Sequence, residues 1–368
     1  MIKPLRRATL RLYLGTLIGF FFPLQQQALA ATVPNHGVIL LYHHVADDTP
    51  AVTSISPGDF AAQMQHLEDN GFIVWPLPKL VAALQKRTAI PDKVVAITFD
   101  DNYRSVYRVA FPLLKQRGWP FTIFVSTDAV DHHINMQSSW EQMREMARSG
   151  ATIANHSATH AHLLQRLPGE DSQAWTARIT ADIDKAQRRI AEETGQQHRL
   201  FAYPYGEFNR ELAALVKKLG YVGIGQQSGP AGGNYPGLAL PRFPFAGNYS
   251  KIDGFSLKIL TLPLPLTAVS AADSPLDYGD APAPMTLQLT PGDISPKGLH
   301  CYGSGQGALD LSWLGDWRVR VTPTKALPVG RSRYNCTLAT GLESHGIKRY
   351  FWYSHPWIKR AEDGHLPD

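Results

Sequence analysis

Apolar positions recur along the chain with two periods. From Gly37 to about Gly225, short apolar runs alternate with amphipathic stretches. Val38-Ile39-Leu40-Leu41, Val94-Val95-Ala96-Ile97 and Phe121-Thr122-Ile123-Phe124-Val125 predict strands, and Thr152-Ile153-Ala154, Leu200-Phe201-Ala202-Tyr203 and Tyr221-Val222-Gly223-Ile224 continue the series. Residues 57–69 predict a helix: Ser56 suits the N-cap, Pro57 the first turn, and Phe60, Met64 and Leu67 share one face before Gly71. Further helices are predicted through Lys115 and over 139–149, 173–194 and 209–219, three of them stopped by Gly118, Gly150 and Gly220.

Strand–helix alternation of this kind gives a parallel sheet. This many units predict an α/β fold built on a (β/α) barrel, complete or incomplete, with active residues at the C-terminal ends of its strands. After Phe255 the pattern changes. Residues 256–285 are rich in Leu, Pro, Ala and small polar residues and predict a linker. Residues 286–368 show short runs punctuated by Gly and Pro, among them Trp317-Arg318-Val319-Arg320-Val321 and Tyr350-Phe351-Trp352-Tyr353. They predict a small all-β accessory domain, a sandwich, whose clustered aromatics belong to its core. The barrel domain is expected over 31–255.

The first 30 residues predict a signal peptide. Lys3, Arg6, Arg7 and Arg11 precede an apolar stretch from Leu12 to Leu24, and Ala28-Leu29-Ala30 gives a small-residue cleavage pattern. The apolar run is shorter than the roughly 20 residues a membrane span needs. The chain is therefore expected to be exported, to a periplasm or outside the cell, with no stable membrane span after cleavage. The 368-residue chain is formally +5, but residues 1–30 carry four basic side chains and no acid, which leaves the remainder at +1. Charge thus gives no support to a nucleic-acid partner, and a neutral substrate fits it. The only two cysteines, Cys301 and Cys336, are expected to form a disulfide in an oxidising compartment. Such a bond closes a loop of about 36 residues and contributes roughly 3–4 kcal/mol.

Four polar clusters follow predicted strands: Tyr42-His43-His44, Asp100-Asp101, His156-Ser157-Ala158-Thr159-His160 and Pro204-Tyr205-Gly206. Adjacent carboxylates repel, so a bare Asp-Asp pair reads as a solvated loop unless a cation is near. His156 and His160, four apart, fall on one side of a helical turn and suit a transition metal. With Asp101 they make a two-histidine, one-carboxylate set. Zinc is the first expectation; nickel, cobalt or iron fit the same ligands. The spacing of His162 points it elsewhere.

These residues resemble a known family. Thr98-Phe99-Asp100-Asp101, His156-Ser157-Ala158-Thr159-His160 and Phe201-Ala202-Tyr203-Pro204-Tyr205-Gly206 resemble, in order and separation, the three motifs of the NodB-homology polysaccharide deacetylases, carbohydrate esterase family four. Leu41-Tyr42-His43-His44-Val45 is similar to a segment of a rearranged branch that includes periplasmic poly-N-acetylglucosamine deacetylases. The resemblance spans roughly residues 37–245. It implies Asp100 as catalytic base, Asp101, His156 and His160 as metal ligands, the backbone N–H of Tyr205 as oxyanion donor and His43 as catalytic acid. His44 is expected to be structural. The family's third motif usually opens with an arginine that tethers the base; here Ala202 stands in its place, and Arg242 is the candidate substitute. Tyr103 and Trp140 are candidates for stacking on sugar, with a core role open for Trp140.

The expected activity is metal-dependent removal of acetyl groups from an N-acetylglucosamine-containing polysaccharide by a monomeric enzyme. Peptidoglycan or an O-acetylated sugar is the alternative substrate, and a non-catalytic matrix-binding protein the alternative class. The intact set of Asp100, Asp101, His156, His160 and His43 argues against the last.

Overall fold

The computed structural model describes Met1 and residues 33–134, 136–232, 238–281, 283–292 and 294–367. Apart from Met1, the expected leader lies outside the described residues.

Six parallel strands lie side by side in chain order: His36–Tyr42, Val94–Asp100, Phe121–Val125, Thr152–Asn155, Leu200–Ala202 and Val222–Ile224. The first four are buried along their whole length, as expected of strands covered on both faces. The sheet curls. Leu240 bridges to Ile224, and Phe243 and Pro244 pair in parallel with Leu40 and Leu41. Residues 240–244 thus run from the last strand back towards the first, giving a curled half-barrel. A two-residue strand, Ala231–Gly232, pairs antiparallel with the beginning of the first strand.

Helices cover the outside. Pro57–Asp69 is capped by Ser56, whose hydroxyl accepts from the Asp59 N–H at 2.9 Å. Its Phe60, Met64 and Leu67 enter a core shared with Leu40, Ile97 and Phe99. Trp140–Arg148 begins with a reciprocal capping box between Ser139 and Gln142. Ser172–Thr194 starts on Asp171 and stops at Gly195 in the left-handed region. A helix at Leu77–Lys86, absent from the sequence expectation, buries Leu77, Leu80 and Val81. The helix through Lys115 opens as a π turn at Val106–Ala110. Pro112 explains it, because proline removes an N–H from the regular ladder.

The expected linker is woven into the sheets. Leu262–Pro263 pairs with Phe351 and Trp352, and Leu266–Ala271 pairs antiparallel with Met285–Leu289. Leu262, Leu264 and Leu266 alternate with the strand period and are all buried. Pro263 is tolerated because its strand is the edge of a five-stranded sheet. That sheet contains the long hairpin Gly330–Ser344 and Ile347–Lys359; a second sheet of four strands accompanies it. Leu287, Val319, Val321, Tyr334 and Trp357 from the two sheets share one apolar cluster. Cys301 and Cys336 face each other across adjacent strands and are joined by a disulfide. Residues 31–368 form one compact unit.

Candidate active site

The polar clusters follow the C-terminal ends of the parallel strands. Chain reversal there takes ordinary residues into the left-handed region: Asp101 (φ 66°), Asn102 (φ 55°), Ser157 (φ 64°), His160 (φ 55°) and Tyr205 (φ 58°). Each such residue costs of order 1 kcal/mol or more, and such strain clusters at functional sites.

Asp101, His156 and His160 come together, with one potential ligand atom from each within 4.8 Å of the others. Asp101 Oδ1 is 3.1 Å from His160 Nε2 and 3.4 Å from His156 Nε2. The histidines do not share a helical turn, as their spacing suggested. They sit on a loop in which Ser157 Oγ accepts from the His160 N–H at 2.9 Å. Asp182, from the long helix, accepts from the N–H groups of Ala158 and Thr159, both at 3.2 Å. The sequence reading did not include Asp182. His156 Nδ1 lies 2.8 Å from the Ala202 carbonyl, which fixes the ring. Its Nε2 is buried without a hydrogen-bond partner. A buried, oriented imidazole nitrogen left unsatisfied beside a carboxylate and a second imidazole fits a divalent metal. Burial opposes ionisation of Asp101, but the close approach of His156 and His160 outweighs it and holds its carboxyl well below the usual range.

Asp100 is fully buried, and Arg242 meets it end-on. Arg242 donates from Nη1 to Oδ1 and from Nη2 to Oδ2, both at 2.7 Å. It also donates to the Gly225 carbonyl at 2.8 Å and to Thr98 Oγ1 at 3.2 Å. Two parallel charge-assisted bonds fix a carboxylate in direction as well as charge. Burial raises the Asp100 pKa, yet the guanidinium prevails and holds it below the usual value. Gln226 Nε2 approaches Oδ2 at 3.4 Å. Gly206 lets Gln226 come this close: its φ is +72°, and a Cβ there would lie 2.7 Å from Gln226 Cβ.

His43 is partly buried beside these carboxylates. Desolvation lowers its pKa, while Asp101 and Asp100 pull it up by charge. His44 is buried and stacks on Tyr103 with ring centroids 3.5 Å apart. Tyr103, half-buried, has its phenol pKa raised by burial and by Asp101. Trp140 is engaged elsewhere: its indole N–H donates to Asp131 at 2.7 Å and Arg189 lies over its ring. Tyr205 stacks flat on His162, centroids 4.0 Å apart, and lies 4.6 Å from the His160 ring. His162 pairs with Glu207 at 2.8 Å rather than joining the ligand set. Arg331, from the C-terminal hairpin, reaches the other Glu207 oxygen at 3.0 Å and the face of Tyr205 at 5.1 Å. Sequence reasoning gave no sign that this hairpin touches the mouth.

Residues 87–224 match the family model described as polysaccharide deacetylase. The chain is 25% identical over 282 residues to the poly-beta-1,6-N-acetyl-D-glucosamine N-deacetylase of Escherichia coli, covering 66% of this chain and 42% of that protein. It is 27% identical over 175 residues to the Staphylococcus aureus protein of the same name, covering 45% of this chain and 59% of the other. The chain thus spans about half the length of these relatives. The solved structure of IcaB from Ammonifex degensii superposes with a TM-score of 0.51 at 28% identity, over 59% of this chain and 94% of that one. On these grounds, joined to the geometry of its mouth, residues 87–224 of the chain carry a domain that matches the polysaccharide deacetylase family.

Proposed function

We propose that this chain hydrolyses N-acetyl groups of an N-acetylglucosamine polymer, releasing acetate and leaving free amines. The observation that carries the reading is the pairing of two unlike carboxylates: Asp100 locked by Arg242, and Asp101 turned towards two histidines. Adjacent in sequence, they are separated in role. The names of the relatives support poly-N-acetylglucosamine as the substrate class.

A divalent metal, zinc by ligand type, would be held by Asp101, His156 and His160 and would activate water and polarise the acetyl carbonyl. Asp100 takes the proton of the attacking water. Arg242 keeps that carboxylate ionised and fixes its orientation before the reaction and balances the local charge after it. The backbone N–H of Tyr205 donates to the developing oxyanion. His43 delivers a proton to the departing sugar amine; burial holds its pKa below the usual value against the pull of Asp101 and Asp100. Tyr103, stacked on His44, presents an aromatic face for a sugar ring. We read the chain as exported and cleaved after Ala30, acting as a monomer. No helix among the described residues is long and apolar enough to cross a membrane.

The test is acetate release by purified residues 31–368 from β-1,6- and β-1,4-linked N-acetylglucosamine oligomers. The protein is first chelated and then resupplied with zinc, cobalt or nickel, with Asp100→Asn as control. Metal-restored release that is lost in the control is expected. Absence of metal binding, or release that persists in Asp100→Asn, sinks the mechanism.

A further inference from the structure

The overall charge of the chain conceals a local excess of cations close to the proposed reaction site. A cavity of about 430 Å³ lies where the half-barrel meets the C-terminal hairpin, lined by Lys258, Arg331, Arg333, Tyr249, Tyr302 and Trp352 among others. Among the described residues, no acidic side chain lines it. The Lys258 ammonium makes no ion pair or hydrogen bond among the described residues; it lies over the rings of Tyr249 and Phe245, at 4.9 and 5.2 Å. Among the described residues Arg333 meets only neutral groups, donating to Ser228 Oγ at 2.8 Å and the Gln226 carbonyl at 3.4 Å. Burial first, and then the charge of Arg333, lower the Lys258 pKa to about 8. Two neighbouring cations sheltered from water without a counter-charge are costly unless an anion joins them.

The cavity adjoins the mouth. Gln226 links the two: its carbonyl accepts from Arg333, and its side chain reaches Asp100. Arg331 bridges from the cavity lining to Tyr205. Tyr249 and Tyr302 are exposed at the same cavity and offer faces on which sugars stack.

We infer that this cavity is a subsite for an anionic substituent, a carboxylate or a phosphate, carried by the saccharide next to the unit being deacetylated. The inference rests on the deacetylase reading for its substrate, but not for the binding itself. It narrows the polymer to one with acidic units, or with acidic decoration, near its N-acetyl groups. A free amine would be repelled there, so the subsite also sets a direction: the sugar beside the reacting unit enters before its own amine is exposed.

The test is calorimetric titration of metal-stripped residues 31–368, so that no turnover occurs. The probes are a tetrasaccharide alternating glucuronate and N-acetylglucosamine, its methyl ester, an N-acetylglucosamine tetramer bearing a 6-phosphate, and the neutral tetramer. At least one anionic probe should bind about tenfold tighter than its neutral counterpart, and the tighter of the two identifies the group. Lys258→Met should abolish the preference and Lys258→Arg retain it. Both variants should release acetate from the neutral tetramer at the unmodified rate. Equal affinity for charged and neutral probes overturns the inference. So does no binding of any probe, or a preference that survives Lys258→Met. If the anionic preference holds but no oligomer loses acetate once metal is restored, the deacetylase reading falls and the anion subsite stands.

Discussion

The mouth of the half-barrel and the interior between the two C-terminal sheets are built on opposite rules. At the mouth Asp100, Asn102, His156, Ser157 and Arg242 are all fully buried, and several neighbours have left-handed backbone. Between the C-terminal sheets the buried set is Leu287, Leu289, Val319, Val321 and Trp357, laid on regular antiparallel ladders and joined through Cys336 to Cys301. One region spends folding energy on held charge; the other recovers it through apolar burial. A fold that keeps polar groups dry and strained in one place departs there from what stability alone selects, and such departures are expected at functional sites.

The sharpest way to separate the regions is to disable one without touching the other. Asp100→Asn should lower acetate release by about 10²–10⁴-fold, the range for loss of a general base. Chelation of the metal should do the same and be reversed by re-addition. The urea midpoint of unfolding should be measured alongside, because removing a charge that Arg242 requires also perturbs stability. Activity lost only in proportion to unfolded protein would show that the mouth is structural.

Next in size is the tether. Arg242→Met leaves Asp100 buried and unpaired, and loss of one partner of a buried ion pair costs about 3–5 kcal/mol. The double variant Asp100→Asn with Arg242→Met removes both charges and should recover most of that stability while remaining inactive. Chemical denaturation of the three variants checks it. A single Arg242→Met variant as stable as the parent would mean that the pair is not held as tightly as its 2.7 Å contacts show.

The two regions were also unequally legible. The helix Pro57–Asp69 follows from Ser56, Pro57 and the spacing of Phe60, Met64 and Leu67, because caps and periodicity are local. The parallel strands follow from apolar runs for the same reason. Asp101, His156 and His160 were read from motif and residue type, yet their loop geometry was not, since it depends on Asp182 two dozen residues away. Arg242 was visible only as an arginine after a late apolar run. Its bond to Asp100 spans 142 positions. Gln226, and the link from Arg331 through Glu207, carry no local signal at all. In the C-terminal part, prolines at 263 and 265 obscured a strand whose alternating leucines were there to be counted.

The disulfide tests whether the second region merely holds itself together. Replacing Cys301 and Cys336 by Ala should lower stability by about 2–4 kcal/mol, leaving acetate release unchanged at temperatures well below unfolding. The strand that holds Cys336 also carries Arg331, which contacts Tyr205. A loss of activity ahead of unfolding would therefore break the comparison and make the hairpin part of the mouth.

The smallest effect concerns a partly buried histidine on the C-terminal hairpin. His355 lies edge-on to Trp357, and burial, helped by the charge of Arg210, lowers its pKa from 6.5 to about 4. Between those values the unfolded chain binds a proton that the folded chain refuses, so stability rises with pH across the window. It is present in full above pH 6.5 and is lost as pH falls towards 4. A displacement of this size is worth roughly 1–3 kcal/mol. The urea midpoint of the parent should therefore fall over that interval more steeply than that of His355→Gln, and the two curves should run parallel above it. Curves that stay parallel through the whole range would mean that His355 takes its proton in the folded state, and that the interior around Trp357 is wetter than the apolar half of the comparison requires.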